Sequence, residues 1–202
     1  MTESLSKAEI RRILRQRLAG MTDEQRRLRS AAACALLLNT PEFAAARTVM
    51  IYLSTPAELD TAPIALRALH EGKTVAAPVV DPQQRRLLPV ALTSLHEGLR
   101  IGPYGIREPA AGTPLPLHLL DLVIVPALGF TPDGGRIGRG MGYYDRFLAQ
   151  RQFAGIACGL GFEQQVMEKL PLLDHDMRLG MLVTDRAVRR FLPPDARRTD
   201  RP

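Results

Sequence analysis

The sequence predicts an α/β domain built on a largely parallel sheet, and three observations lead there. Continuous apolar runs of strand length recur at 74–80, 121–130 and 155–162, as in strands covered on both faces. Segments with helical spacing separate them, so strands and helices alternate along the chain. The 202 residues, 46% apolar and 24% charged, suit one soluble globular domain with a sizeable core. That domain is placed at residues 1–192, and 193–202 is read as a disordered tail.

In order along the chain, residues 6–19 read as a helix with Ile10, Ile13, Leu14 and Leu18 on one face, ended by Gly20. Thr22 and Gln25 form a capping box for a second helix, which Asn39, Thr40 and Pro41 stop. "TVMIYLS" (48–54) predicts a strand. Residues 62–72 predict a helix, with Pro63 in its first turn and Gly72 past its end. Asp60 is read as the cap in front of that helix. A strand at 74–80, a turn at 81–86 and a short strand at "LLPV" follow, and Pro103, Gly105 and Pro109 mark a long loop. The last strands are expected at 121–130, 155–162 and 181–185, the final one followed by a short helix.

Charge and cysteine usage narrow the function classes. A formal charge of +6 and a pI near 9.9 point to acidic partners. The arginines are not gathered into one basic block, and the richest stretch, 11–29, alternates with apolar residues as a solvated helix face does. Cys34 and Cys158 lie far apart in apolar runs without metal-ligand spacing, so they read as buried thiols in a reducing compartment. No run reaches membrane-spanning length and "MTESLSKAEIRR" carries no signal-peptide core, which predicts a cytoplasmic protein without a membrane partner.

The stretch that asks for chemistry is "GGRIGRGMGYYDR" (134–146). Its glycines allow backbone N–H groups to approach a ligand, its arginines suggest that the ligand is anionic, and Asp145 suggests a metal that touches the same anion. A helix starting near Gly142 adds a terminus that favours anions. In a parallel sheet such a loop lies at the carboxyl rim of the strands, where ligands bind. Gly135 and Gly140 have the gap of a P-loop, but Met141 and Gly142 stand where that motif needs Lys and Ser/Thr. Gly138 and Gly140 begin a dinucleotide fingerprint whose last position is Tyr143 instead, with Glu163 at the distance of a ribose-binding acid.

The run "RIGRGMGYYDRFL", after "DLVIVPALGFTPDG", closely resembles the 5-formyltetrahydrofolate cyclo-ligase (methenyltetrahydrofolate synthetase) family. "KAEIRRILRQRL", "YLSTPAELDT", "GPYGIREP" and "HDMRLGMLVTD" agree with its other blocks in order and spacing. The resemblance implies a layered α/β sandwich with a mixed, mostly parallel sheet and flanking helices (NagB/RpiA/CoA transferase-like). It implies an enzyme that uses ATP and Mg2+ to convert 5-formyltetrahydrofolate into 5,10-methenyltetrahydrofolate, releasing ADP and phosphate.

Carried over residue by residue, the resemblance assigns Lys7, Arg11, Arg136, Ile137, Gly138, Arg139, Gly140, Met141, Gly142, Tyr143 and Tyr144 to ATP. It assigns Leu53, Glu58, Tyr104, Arg139, Gly140, Met141, Gly142 and Tyr143 to the folate. Asp145 and Asp176 are implied as Mg2+ ligands, with Arg139 and Tyr143 as the catalytic pair. Met141 departs from the lysine or glycine of some members, and Gly180 from an expected acid. The implied partners are small molecules, a reduced folate and ATP, with no nucleic acid, and the protein is expected to act as a monomer. Two other readings stand beside this one: a paralogue that binds ATP or folate without cyclising it, and a basic nucleic-acid-binding module, which lacks a recognisable reading motif.

Overall fold

The computed structural model describes residues 5–173 and 175–191. The chain opens with three helices, α1 (Lys7–Ala19), α2 (Asp23–Leu38) and the short α3 (Pro41–Ala45). Strand β1 (Thr48–Met50), helix α4 (Ala62–His70), β2 (Thr74–Asp81) and β3 (Arg86–Ala91) follow. A small hairpin, β4 (Leu99–Ile101) and β5 (Arg107–Pro109), precedes β6 (Leu122–Val125). A second hairpin, β7 (Gly129–Phe130) and β8 (Arg136–Ile137), leads to α5 (Tyr143–Leu148), and β9 (Ile156–Leu160), β10 (Met181–Val183) and β11 (Val188–Arg190) end the described chain.

Seven strands form one sheet in the order β11-β10-β9-β6-β1-β2-β3. Its five central strands pair in parallel, and β3 and β11 run antiparallel at the two edges. The fold is thus an α/β sandwich on a mixed, mostly parallel sheet. Alternation along the strands fills both faces. Val49, Val75, Leu122, Ile124, Cys158 and Met181 pack towards α2, α3 and α4 on one side. Met50, Ala76, Val123, Val125, Ala157 and Leu182 pack with Phe130 and with Phe147 and Leu148 of α5 on the other. Helix α1 forms a third, smaller cluster, laying Ile10 and Leu14 against Leu128 and Ile137 beside the glycine loop.

Both N-terminal helices carry the reciprocal capping box: Ser6 with Glu9 for α1, and Thr22 with Gln25 for α2. The N-cap of α4 is Thr61, one residue later than expected, and Asp60 in front of it accepts a hydrogen bond from Ala62 N at 3.0 Å. Cys34 and Cys158 are buried and unpaired.

Four expectations need correction. The strand at 48–54 is shorter, because after Met50 the chain turns into the Ser54–Thr61 loop. The run at 121–130 is two strands, since Pro126 cannot donate to a ladder. The long loop after residue 95 contains the β4–β5 hairpin. The segment after 181–185 is not a helix. Thr184 Oγ1 accepts from Arg186 N and Ala187 N, forms a tight turn, and sends β11 back along β10. The tail 193–202 lies outside the described residues.

Candidate active site

The glycine loop hangs from the β7–β8 hairpin at the carboxyl rim of β6. Its glycines do two kinds of work. Gly134 and Gly135 are packing residues: a Cβ would meet Phe191 at 2.6 Å on the first and Leu172 at 2.4 Å on the second. Gly138 and Gly140 face open space, where a Cβ would meet nothing nearer than guanidinium atoms of Arg136 or Arg11 at 3.7 Å. At Gly140 and Gly142 the backbone holds φ of +114° and +65°, which other residues resist.

Helix α1 supplies cations to this loop. Lys7 and Arg11 are one turn apart on the same face. Arg11 Nε donates to Gly138 O at 3.0 Å, and Lys7 Nζ reaches Asp176 Oδ2 at 2.6 Å. Arg136 is 4% exposed and bonds Asp145 Oδ1 at 2.6 Å, while its Nε has no partner among the described residues. Burial lowers its pKa, and the Asp145 carboxylate opposes that. The loop and α1 thus wall a cavity of about 410 Å3, which Lys7, Arg11, Arg85, Arg136 and Arg146 line together with Asp145, Asp176 and His175. A cavity with five cations and open glycine backbone suits a polyanion.

The donor set fits Mg2+ shared with a phosphate. That ion needs only one or two carboxylates alongside phosphate oxygens and water. Asp145 receives Arg136 and Met177 N on Oδ1, and Asp176 receives Lys7 and Leu173 N on Oδ2, so each has a second oxygen to offer. Burial pushes the Asp176 pKa up, but the bonds from Lys7 and Leu173 outweigh it and hold the carboxyl below its ordinary value. Among the described residues no three His, Cys, Asp or Glu gather into a metal-binding group of their own. Gly180, which stands where an acid was expected, engages Ala157 O and Phe191 N through its backbone. Asp174 lies outside the described residues.

On the other side of the loop Arg139 turns away from the cavity and bonds Glu58 Oε1 at 2.9 Å. Glu58 also accepts from Thr55 N and Oγ1, which fixes the turn after Ser54. This pair closes a narrow slot of about 20 Å3 floored by Leu18, Tyr52, Leu128, Leu160, Phe162 and Gln165. Tyr144 Oη is buried without a partner among the described residues, and burial followed by the Glu58 charge raises its pKa. The same two causes raise Tyr52, whose hydroxyl bonds Leu59 O at 3.3 Å. Tyr104, on the β4–β5 hairpin, is 59% exposed and meets Tyr143 edge-on, with the hydroxyls 3.1 Å apart.

The structure gathers most of the sequence-derived residues into two adjoining places, while Leu53, Tyr104, Tyr143 and Tyr144 line neither. Lys7, Arg11, Arg136, Ile137, Gly138, Gly140, Met141, Gly142, Asp145 and Asp176 line the cavity, and Glu58 and Arg139 line the slot. Leu53 is 5% exposed and packs in the core cluster with α2 and α4. Ile137, 3% exposed, mainly anchors the loop to α1. The dinucleotide alternative falls: Glu163 is bonded to Arg189 at 2.6 Å and to Thr184, and the glycines follow β8 rather than a first strand. Sequence reasoning missed Arg85, Arg146 and the buried Gln165, whose amide Nε2 donates to Ala127 O and Leu128 O. Arg146 stood inside the glycine motif, whereas Arg85 looked like part of an ordinary turn.

Fold and site together define an α/β protein with an open polyanion cavity beside a closed, acid-bearing slot. The chain matches the 5-formyltetrahydrofolate cyclo-ligase family over residues 3–185, and it belongs to that family as one of its enzymes. It is 32% identical to the 5-formyltetrahydrofolate cyclo-ligase of Escherichia coli K12 over 179 residues, covering 87% of this chain and 98% of that one. The mouse cyclo-ligase is 29% identical over 189 residues, covering 89% and 93%. The solution structure of Aquifex aeolicus 5,10-methenyltetrahydrofolate synthetase superposes with a TM-score of 0.80 at 30% identity, covering 93% of each chain. No helix among the described residues is long and apolar enough to cross a membrane.

Proposed function

We propose that this enzyme converts 5-formyltetrahydrofolate into 5,10-methenyltetrahydrofolate at the expense of ATP. The observation that carries the reading is the pairing of two adjoining sites across one loop, a cation-lined cavity and a slot closed by Glu58 and Arg139. A formamide oxygen is a poor leaving group. Phosphorylating it makes an imidate phosphate, which N10 of the folate can attack to close the ring and expel phosphate. Such a transfer needs positioning and charge neutralisation more than covalent help from the protein.

In this reading Lys7, Arg11 and Arg136 offset the triphosphate, and the backbone of Gly138, Gly140 and Gly142 lies against its oxygens. Asp145 and Asp176 hold Mg2+, which supplies charge neutralisation at the phosphates. The pterin's N–H edge displaces Arg139 from Glu58, since a carboxylate accepts two hydrogen bonds from an aminopyrimidinone. Arg139, thus released, turns to the transferring phosphoryl group. Tyr143 and Tyr104 wall the reacting formyl group from solvent, and Leu53 meets the folate through its backbone. The two buried thiols fit a reducing compartment, and we place the enzyme in the cytoplasm as a monomer.

Purified protein given 5-formyltetrahydrofolate, ATP and Mg2+ should develop the absorbance of the conjugated methenyl product, and omission of ATP should abolish it. Folate and ATP binding without product would instead favour a non-cyclising paralogue.

A further inference from the structure

The β2–β3 turn adds a cation, Arg85, to the cavity that α1 also lines. Asp81 and Arg86 pair at its base, and residues 82–85 make the turn. Asp81 Oδ1 caps it by accepting from Gln84 N at 3.0 Å, while Asp81 also holds Arg86 through an ion pair at 3.2 Å. The last turn residue, Arg85, has φ of +50°, a conformation that glycine or asparagine takes far more readily. An arginine kept in such a place marks a constraint that local propensity does not explain. The constraint is visible. Arg146 Nε donates to Arg85 O at 2.7 Å, and Arg146 Nη2 donates to Met141 O at 2.8 Å. One guanidinium therefore bolts the turn to the glycine loop. Its plane lies over the Tyr143 ring, 5.3 Å from the centroid. Arg85 itself lines the cavity with Lys7, Arg11 and Arg136.

We propose that Arg85 is a phosphate-binding residue of the nucleotide cavity, delivered by the β2–β3 turn and held in place by Arg146. The inference rests on the ATP reading above and adds a contact which that reading does not contain. Arg86, next in the chain, is engaged with Asp81 and does not line the cavity, so the two neighbouring arginines provide a site and its control.

Arg85→Gly removes the cation and leaves a residue at ease with φ of +50°. It should raise KM for ATP about tenfold and weaken binding of inorganic tripolyphosphate, titrated by calorimetry without Mg2+, by a similar factor. KM for the folate should stay within about twofold of wild type, and Tm should not fall. Arg85→Lys should land between, because a point charge replaces a planar fork. Arg86→Gln, which removes the same charge one residue away, should leave KM for ATP within about twofold. Unchanged ATP and tripolyphosphate binding in Arg85→Gly would overturn the proposal, as would an equal loss in Arg86→Gln, or a drop in Tm with both KM values rising together. If the wild-type protein itself bound neither ATP nor tripolyphosphate, the nucleotide reading would fail and Arg85 with it. Wild-type binding that Arg85→Gly leaves intact would remove Arg85 alone.

Discussion

The cavity around the glycine loop and the slot beside Glu58 share one segment of chain yet differ in readiness. The cavity is open at about 410 Å3, whereas the slot holds about 20 Å3. In the cavity several cations are already tied down, Lys7 by Asp176, Arg11 by Gly138 O and Arg136 by Asp145, so a polyanion meets a prepared surface. In the slot Arg139 and Glu58 are spent on each other. Arg139 is 55% exposed at its side chain and Glu58 18%, so the pair is a partly solvated latch rather than a buried salt bridge. In the reading proposed above, a nucleotide would enter a cavity that is already open, and a folate would reach Glu58 by exchanging partners with Arg139.

The largest effect should come from breaking the cavity at the residue that serves two groups. Asp145→Asn removes a carboxylate charge facing the cavity but keeps an oxygen for Arg136. Its kcat/KM should fall about 100- to 1000-fold with a weakened Mg2+ dependence, read from initial rates across a Mg2+ titration. Asp145→Ala should also lose stability, about 3–5 kcal/mol, because it leaves the Arg136 guanidinium buried and unpaired, and chemical denaturation would report it. Wild-type Mg2+ dependence in both variants would remove the metal assignment. Next in size, Glu58→Gln should weaken folate binding about 10- to 100-fold and leave ATP binding within about twofold, measured with each ligand alone. Equal losses for the two ligands would merge the sites that the structure separates. Arg139→Lys keeps the charge but not the fork, and kcat should drop about tenfold.

Much of this contrast was legible in the sequence, and unevenly so. The strands of the sheet centre could be read because both faces are buried, which leaves continuous runs such as Leu122–Val125. The glycine motif announced the cavity because its residues are adjacent in the chain. The slot was reached by resemblance alone: Glu58 and Arg139 are 81 residues apart, and no local pattern ties them. The edge strand β11 escaped because Thr184 forms its turn with a side chain rather than with glycine or proline. Arg85 escaped because a cation in a hairpin turn reads as solvated until Arg146 is seen to hold its carbonyl.

Smaller effects probe the supports of the cavity. Hydrogen bonds from Lys7 Nζ and Leu173 N hold the Asp176 carboxyl below its ordinary pKa, so the group loses a proton more readily folded than unfolded. The stability it contributes is complete above the ordinary value of 3.8 and is lost as pH falls through the lower folded value. Urea titrations should therefore find wild type more stable than Asp176→Asn at neutral pH, with the gap closing below about pH 4. A gap that persisted in strong acid would mean that charge is not what Asp176 contributes. Burial raises the Cys34 thiol to about 12, so native protein should resist iodoacetamide there and react only when unfolded. Rapid labelling of Cys34 in folded protein would show that α2 opens from the sheet.

In the proposed reaction the two regions act on one oxygen: the cavity would deliver a phosphoryl group and the slot would present the formyl oxygen that receives it. Substrate labelled with 18O in the formyl group tests this directly. Mass spectrometry of the released phosphate should find one 18O for each methenyl product formed, because the expelled phosphate carries the formyl oxygen away. Phosphate free of 18O, with the label in water, would mean that ATP is hydrolysed beside the folate without activating it, and the coupling of cavity and slot would be refuted.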